Sequence, residues 1–392
     1  MKGMLIATTV AISLALAGPS LAEAPQDRLN YLLDSFLQDY GFPGATAAIA
    51  RRDGSVVTAA TGVADAEADT PMTSDSRMLA AGIGKSFVAM TALSLESDGV
   101  LSRSDLVSRH LGGKDWFTRL PNHSTMTVVD LLRHTSGLTD HVHLPGFQSE
   151  MAARMAGGSA AFTPEEAIAF VLDGEPLFPA GEAWAYSDTG YLLLGLVIEE
   201  AGWAAYYDLV AARFLTPLAL TATTPSNTPV LHGLAAGYVG EDNPFGLPPR
   251  TMDDAGRLLW DPAMEWTGGG LVSTSRDLAV WGHALFGGTA MAKPYLDQLL
   301  DGVPVSPDAP GILYGAGVAI YSDTPRGPVY GHGGWIPRYV SSLRHYADHG
   351  VTVAFQINTD VGIADDGTDL VPALEAALAD LAIGRGSGAG QP

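Results

Sequence analysis

Between Gly84 and Leu95 the chain is apolar on almost every side. A helix that is hydrophobic all round is one that other elements surround, so the fold has to enclose this segment as a central buried helix. Lys85 lies inside it, in a chain whose only other lysines are Lys2, Lys114 and Lys293. Burying an ammonium costs about several kcal/mol unless it is paired or neutralised. A lysine can escape by snorkelling to the surface, but this helix has little polar face to follow. Desolvation also lowers a lysine pKa, which makes Lys85 a usable base or a partner for one.

The 392 residues are 47% hydrophobic and 16% charged, enough for one large domain or two lobes. Without a cysteine, the chain can form neither disulfides nor thiolate metal sites, and thiol catalysis is excluded. Its net charge of −22, from 21 basic and 43 acidic residues, argues against nucleic acid and anionic membranes as partners. The N-terminus reads as a secretory signal: Lys2, then apolar Met4 to Leu16, then Ser20-Leu21-Ala22 as a small-x-small cleavage site. Cleavage is expected after Ala22, which implies a periplasmic or secreted protein. The apolar run is shorter than a bilayer span, so no stable membrane insertion is expected after cleavage.

Periodicity predicts a helix over residues 26–40, with Leu29, Leu32, Leu33 and Phe36 on one face, and strands at Thr46–Arg51 and Ser55–Ala60 around Asp53-Gly54. Met126 to Leu132 begins a helix with Thr125 as its cap, and others follow near 164–173, 189–201 and 275–286. Strands return at Tyr314–Tyr321, Tyr339–Tyr346 and Val351–Asn358, before a last helix from Leu370 to Ala382. The Gly-rich tail 384–392 reads as disordered. This order suggests a sheet assembled from both chain ends with a helical lobe, roughly 85–270, inserted between them.

Three clusters carry chemistry. Lys85 is the first. Tyr186-Ser187-Asp188 follows a Pro-Gly turn and opens an apolar helix; Asp188 is a good N-cap, and Tyr186 is either a buried aromatic or a phenol exchanging a proton beside Lys85. The third, Tyr330-Gly331-His332-Gly333-Gly334-Trp335, sits just before a strand, as a glycine-rich turn or as a place where a ligand approaches the backbone. Gly84-Lys85-Ser86 is not a P-loop, because position 79 is Leu79. His134, His141 and His143 lack an acidic ligand at the spacing of a known zinc site, and the run Asp65 to Asp69 lacks the glycine and glutamate of a calcium loop. No metal or cofactor is implied.

These clusters stand in the order of Ser-x-x-Lys, Tyr-x-Asn and Lys/His-x-Gly. With Leu131-Leu132-Arg133-His134-Thr135-Ser136-Gly137-Leu138 and Gly268-Gly269-Gly270-Leu271-Val272-Ser273-Thr274, the chain resembles, from about 26 to 382, the serine β-lactamase and penicillin-binding-protein-like family. That group includes class C β-lactamases, DD-peptidases, D-amino-acid peptidases and esterases. The resemblance implies an α/β (α+β) fold of the β-lactamase/transpeptidase type: an antiparallel sheet flanked by N- and C-terminal helices, with an inserted all-helical lobe, in one domain over 23–383. It also implies ester or amide hydrolysis of a small-molecule or peptide substrate through an acyl-enzyme.

By the same resemblance Lys85 is the motif lysine, Tyr186 the proton shuttle, and His332 and Gly334 the third motif. The backbone N–H groups of position 82 and Trp335 form the oxyanion hole. Two positions depart. Asp188 stands where asparagine is usual: it loses an amide donor and tends to keep Lys85 charged. Gly82 stands where the nucleophilic serine is expected. It keeps the backbone N–H but cannot form an acyl-enzyme, and loss of a nucleophile in a serine protease costs roughly 10⁶ in turnover. Ser86 is rotated about 100° away along a helix. A water filling the missing hydroxymethyl space is the remaining catalytic route. The readings are an inactive or impaired hydrolase, or a non-catalytic binder of peptide, peptidoglycan or lactam ligands. Substrate and oligomeric state stay open.

Overall fold

The computed structural model describes residues 24–157, 161–239, 248–360 and 367–385. The expected signal peptide, and residues 386–392 of the expected tail, lie outside them. The six longer helices are α1 (Pro25–Tyr40), α2 (Gly84–Ser97), α3 (Pro145–Gly157), α4 (Asp188–Gly202), α5 (Ser275–Phe286) and α6 (Leu370–Ile383). The strands of the main sheet are β1 (Gly44–Ala50), β2 (Val56–Asp65), β3 (Thr70–Pro71), β4 (Val303–Pro304), β5 (Ile312–Tyr314), β6 (Ala319–Tyr321), β7 (Val329–Ile336), β8 (Tyr339–Tyr346) and β9 (Val351–Ile357).

The two chain ends meet inside that sheet. Its order is β3-β2-β1-β9-β8-β7-β6-β5-β4, and β1 pairs antiparallel with β9, Ala48 opposite Ala354. Every residue of β1 is buried. Its sequence, Gly44-Ala45-Thr46-Ala47-Ala48-Ile49-Ala50, is mostly small, which suits a strand covered on both faces by helices. On one face, Leu29 and Leu33 of α1 and Leu370, Leu374 and Leu378 of α6 form a core with Ala45, Ala47 and Phe355. On the other lies α5, joined to β1 by a 2.7 Å hydrogen bond between Thr46 Oγ1 and Ser275 Oγ.

The segment that has to be enclosed is enclosed. In α2 the residues from Gly84 to Leu95 are all buried, Lys85 included. Phe87 stacks on Trp281 of α5 with ring centroids 3.9 Å apart, and Phe214 meets the same indole edge-on. Leu192 to Ile198 of α4 belong to the same core.

Four expectations need correcting. The helix after Met126 runs Val128–Arg133 and is capped by Thr127, whose hydroxyl and amide both reach Asp130, not by Thr125. The strand expected over Tyr314–Tyr321 is a hairpin, β5 and β6, turned by Gly317 at φ +68°. The glycine-rich cluster lies within a strand, because pairing of β7 with β8 over all eight residues overrides the poor strand propensity of three glycines. The helix near 164–173 is α-helical only over Pro164–Ile168 and finishes as a 3₁₀ turn.

Phe87→Ala is expected to cost about 3–5 kcal/mol, because the enclosed stack cannot collapse around the void. Urea unfolding measures it, and a loss below about 1 kcal/mol would show that α2 is not the packing centre.

Candidate active site

Backbone closeness builds this site before any side chain does. Met78–Leu79 pairs with Leu271–Ser273 in a small three-stranded sheet, which brings the turn Ala81–Ile83 against the glycines 268–270. A Cβ on Gly84 would lie 2.8 Å from Gly269 Cα, so side chains are excluded where the segments cross. Ala81 takes φ +47°, Trp266 +36° and Arg338 +75°. Such left-handed residues cost on the order of 1–3 kcal/mol each and cluster where structure over-determines them. Here they flank Gly82, Glu265 and Pro337, all of which line one cavity.

Lys85 does not snorkel. Its side chain is 1% exposed, and its Nζ donates to Asp188 Oδ1 and to the Gly268 carbonyl oxygen. Burial by itself would lower its pKa, but the Asp188 carboxylate and the adjacent Tyr186 raise it above the ordinary lysine value. The ammonium also lies 4.8 Å from the Tyr186 ring centroid and 5.3 Å from that of Tyr191. Burial raises the Tyr186 phenol. Lysine and tyrosine are therefore both held protonated at neutral pH, in no state to take a proton. Asp188 is not the helix cap: Ser187 is, accepting from Gly190 N–H at 3.2 Å, and this frees Asp188 for Lys85.

The decisive geometry surrounds Gly82. A Cβ there would lie 2.6 Å from the Gly333 carbonyl oxygen, 2.8 Å from His332 Cε1 and 3.0 Å from His332 Nδ1. The hydroxymethyl space considered for a water is therefore filled by protein. The His332 ring is fixed at both nitrogens. Nδ1 faces the Gly333 carbonyl, which can only accept, so Nδ1 carries the hydrogen; Nε2 then accepts from Tyr314 Oη at 2.9 Å. Burial, with the Lys85 charge behind it, pushes the imidazole down to about 3, so it stays neutral. Ser86 is no substitute nucleophile: its hydroxyl donates to the Ile83 carbonyl and accepts from Trp281 Nε1, facing α5.

Gly82, Lys85, Tyr186, Asp188, His332, Gly334 and Trp335 all line the same cavity, of about 720 Å³. Sequence reasoning missed several companions. Tyr314 holds His332, and it ends a short strand with no recognisable pattern. Asp140 follows the Leu131–Leu138 signature by two residues, the one signal that pointed to it. Glu265 precedes the glycine triplet without a pattern of its own. Burial and the charge of Asp188 raise Asp140 to about 6 and Glu265 to about 7. Phe147, Met151 and Met155 from α3, with Trp260 and Met264, give the cavity an apolar wall. His134 is structural: its ring packs 4.2 Å from Tyr186 and 4.7 Å from Tyr314, and its Nδ1 accepts from Ser187 N–H. His141 is buried against Thr189, while His143 is exposed. Among the described residues, no group of His, Cys, Asp and Glu side chains is arranged to hold a metal ion.

Residues 29–378 match the family model described as Beta-lactamase. A penicillin-binding protein of Bacillus subtilis (strain 168) is 26% identical over 311 residues, 76% of this chain; the chain spans 64% of that protein, less than two thirds of its length. A D-stereospecific amidohydrolase from Streptomyces sp. superposes with TM-score 0.73 at 27% identity, over 86% of this chain and 99% of that one. The D-amino acid amidase of Ochrobactrum anthropi SV3, complexed with L-phenylalanine amide, gives TM-score 0.74 at 23% identity, over 91% and 97%, which shows a shared fold.

Asp188→Ala is expected to destabilise the protein by about 3–5 kcal/mol in urea unfolding, because it strands a buried ammonium. Glu265 gives a signed pH test. Its folded pKa lies above the unfolded value, so the folded state holds the extra proton and stability falls as pH rises from about 4.5 to about 7. Glu265→Gln should therefore raise stability by about 1–3 kcal/mol at pH 8 and change little at pH 4. An equal effect at both values would show that the carboxyl is not held protonated.

Proposed function

The chain belongs to the Beta-lactamase family, and on that premise we propose that it binds a small-molecule or peptide ligand in the family's substrate cavity without forming an acyl-enzyme. The observation that carries this reading is the filled space at Gly82. The Gly333 carbonyl and the His332 ring crowd the position that a serine's Cβ would take. An impaired hydrolase that lacked only its hydroxyl would keep that space open and Lys85 unpaired. Here Lys85 is ion-paired to Asp188 and protonated.

The ligand class follows from the cavity. At neutral pH Asp188 balances the ammonium of Lys85 and Asp140, with its pKa of about 6, adds a further carboxylate, which favours a positively charged group. The methionine-rich wall favours an apolar group beside it. An apolar amine-bearing amide or peptide satisfies both, in line with the L-phenylalanine amide bound to the Ochrobactrum amidase. The leader expected from the sequence of residues 1–22 favours a periplasmic or secreted location.

Incubation with a fluorophosphonate or a β-lactam followed by intact-mass measurement should give no adduct; an adduct on Ser86 would overturn the reading of position 82. Gly82→Ser should stay inert toward a chromogenic ester and lose about 1–3 kcal/mol of stability from overpacking. Restored ester hydrolysis would instead identify a crippled enzyme. Calorimetry with D-phenylalaninamide should show binding with no ammonia released.

A further inference from the structure

The cavity does not stop at the site just described; it continues around the edge of the sheet. Pairing of β7 with β6 ends at Gly331, opposite Ala319. From His332 to Ile336, β7 has no strand partner on that side among the described residues. Gly334 faces the turn before α2, where a Cβ would meet the Ala80 carbonyl at 2.3 Å. Gly333 faces the other way: it is exposed, and a Cβ on it would meet nothing within 4 Å. The missing side chain at 333 therefore leaves a notch in the strand edge. Beyond the notch the same cavity is lined by Tyr321, Val340, Arg344, Val371 and Glu375, on the face covered by α6.

Arg344 is the charged group at that far end. Its side chain is 12% exposed; Nη2 lies 3.1 Å from Glu375 Oε1, Nη1 donates to the Leu343 carbonyl at 3.1 Å, and the guanidinium sits 5.4 Å from the Tyr321 ring centroid. A guanidinium has five N–H donors, so these contacts leave donors for a further acceptor. Glu375 is shared as well, accepting from Ser342 Oγ at 2.5 Å.

We propose that Arg344 is a carboxylate subsite, and that the cavity holds a free peptide lying across the β7 edge at Gly333. The ammonium end meets the carboxylates at the Lys85 end, and the terminal carboxylate reaches Arg344. This rests on the ligand-binding reading above and extends it to a whole two-ended ligand. An amide or ester lacking a terminal carboxylate fills only the near half.

The test is calorimetry at pH 7 with D-phenylalaninamide and with di-, tri- and tetrapeptides that begin with D-phenylalanine, each as free acid and as C-terminal amide. At the length that reaches Arg344, the free acid should bind about tenfold tighter than its amide, the equivalent of one charge-assisted hydrogen bond. Arg344→Gln should abolish that preference. Gly333→Leu, which has room for its side chain, should weaken the long peptides about tenfold more than it weakens phenylalaninamide. It also serves as the control if loss of the Glu375 partner impairs folding of the arginine variant. Equal binding of acid and amide at every length, or equal weakening of short and long ligands by Gly333→Leu, would overturn the subsite while leaving the ligand-binding reading intact. No binding by any of the compounds, short or long, would instead overturn the reading on which the subsite rests.

Discussion

The contact between Lys85 and Asp188 is the constraint around which this molecule is arranged. An ammonium sits within the most enclosed helix of the chain, and that location is tolerable only with a charge partner and a backbone acceptor in fixed positions. Asp188 supplies the first from the start of α4, and the Gly268 carbonyl supplies the second from the glycine triplet. One pair thus ties three distant segments to each other. The same pairing removes the lysine's usefulness as a base, because an adjacent carboxylate favours the protonated ammonium.

A second constraint follows from the crossing of Gly82, Gly84 and Gly269. Where backbones approach this closely, the occupant of position 82 is decided by what stands opposite it. Opposite it stand a carbonyl and an imidazole, locked by a hydrogen bond from Tyr314. The glycine is therefore part of a filled arrangement, and its neighbours have taken up the space of a nucleophile. Charge follows the same logic at larger scale. Around Lys85 the carboxyls outnumber the cation, and burial together with the charge of Asp188 raises the pKa values of Asp140 and Glu265 toward neutrality.

Much of this was legible in residue order. The all-round apolar pattern of α2, the small residues of β1 and the leucines of α1 and α6 each report a local requirement for burial. So does Lys85, whose rarity and setting demanded a partner. What was not legible depended on partners far apart in sequence. Strand β7 reads as a turn because glycine disfavours strands, and only pairing with β8 makes it one. Asp188 reads as a helix cap because its local geometry suits one; Ser187 is the cap instead, and the Asp188 carboxylate pairs with Lys85, 103 residues earlier.

The sequence by itself determined the family, the buried helix, the motif residues at the site, and the absence of a hydroxyl at position 82. Those are properties of side-chain identity and spacing, and chain order carries them. Only the tertiary structure decided what the absence means. The space at Gly82 is closed by His332 and the Gly333 carbonyl, the lysine is charged, and the cavity continues past a notch to Arg344. Each is a distance between residues that sequence separation does not encode, because packing, and not order along the chain, sets which atoms share a volume.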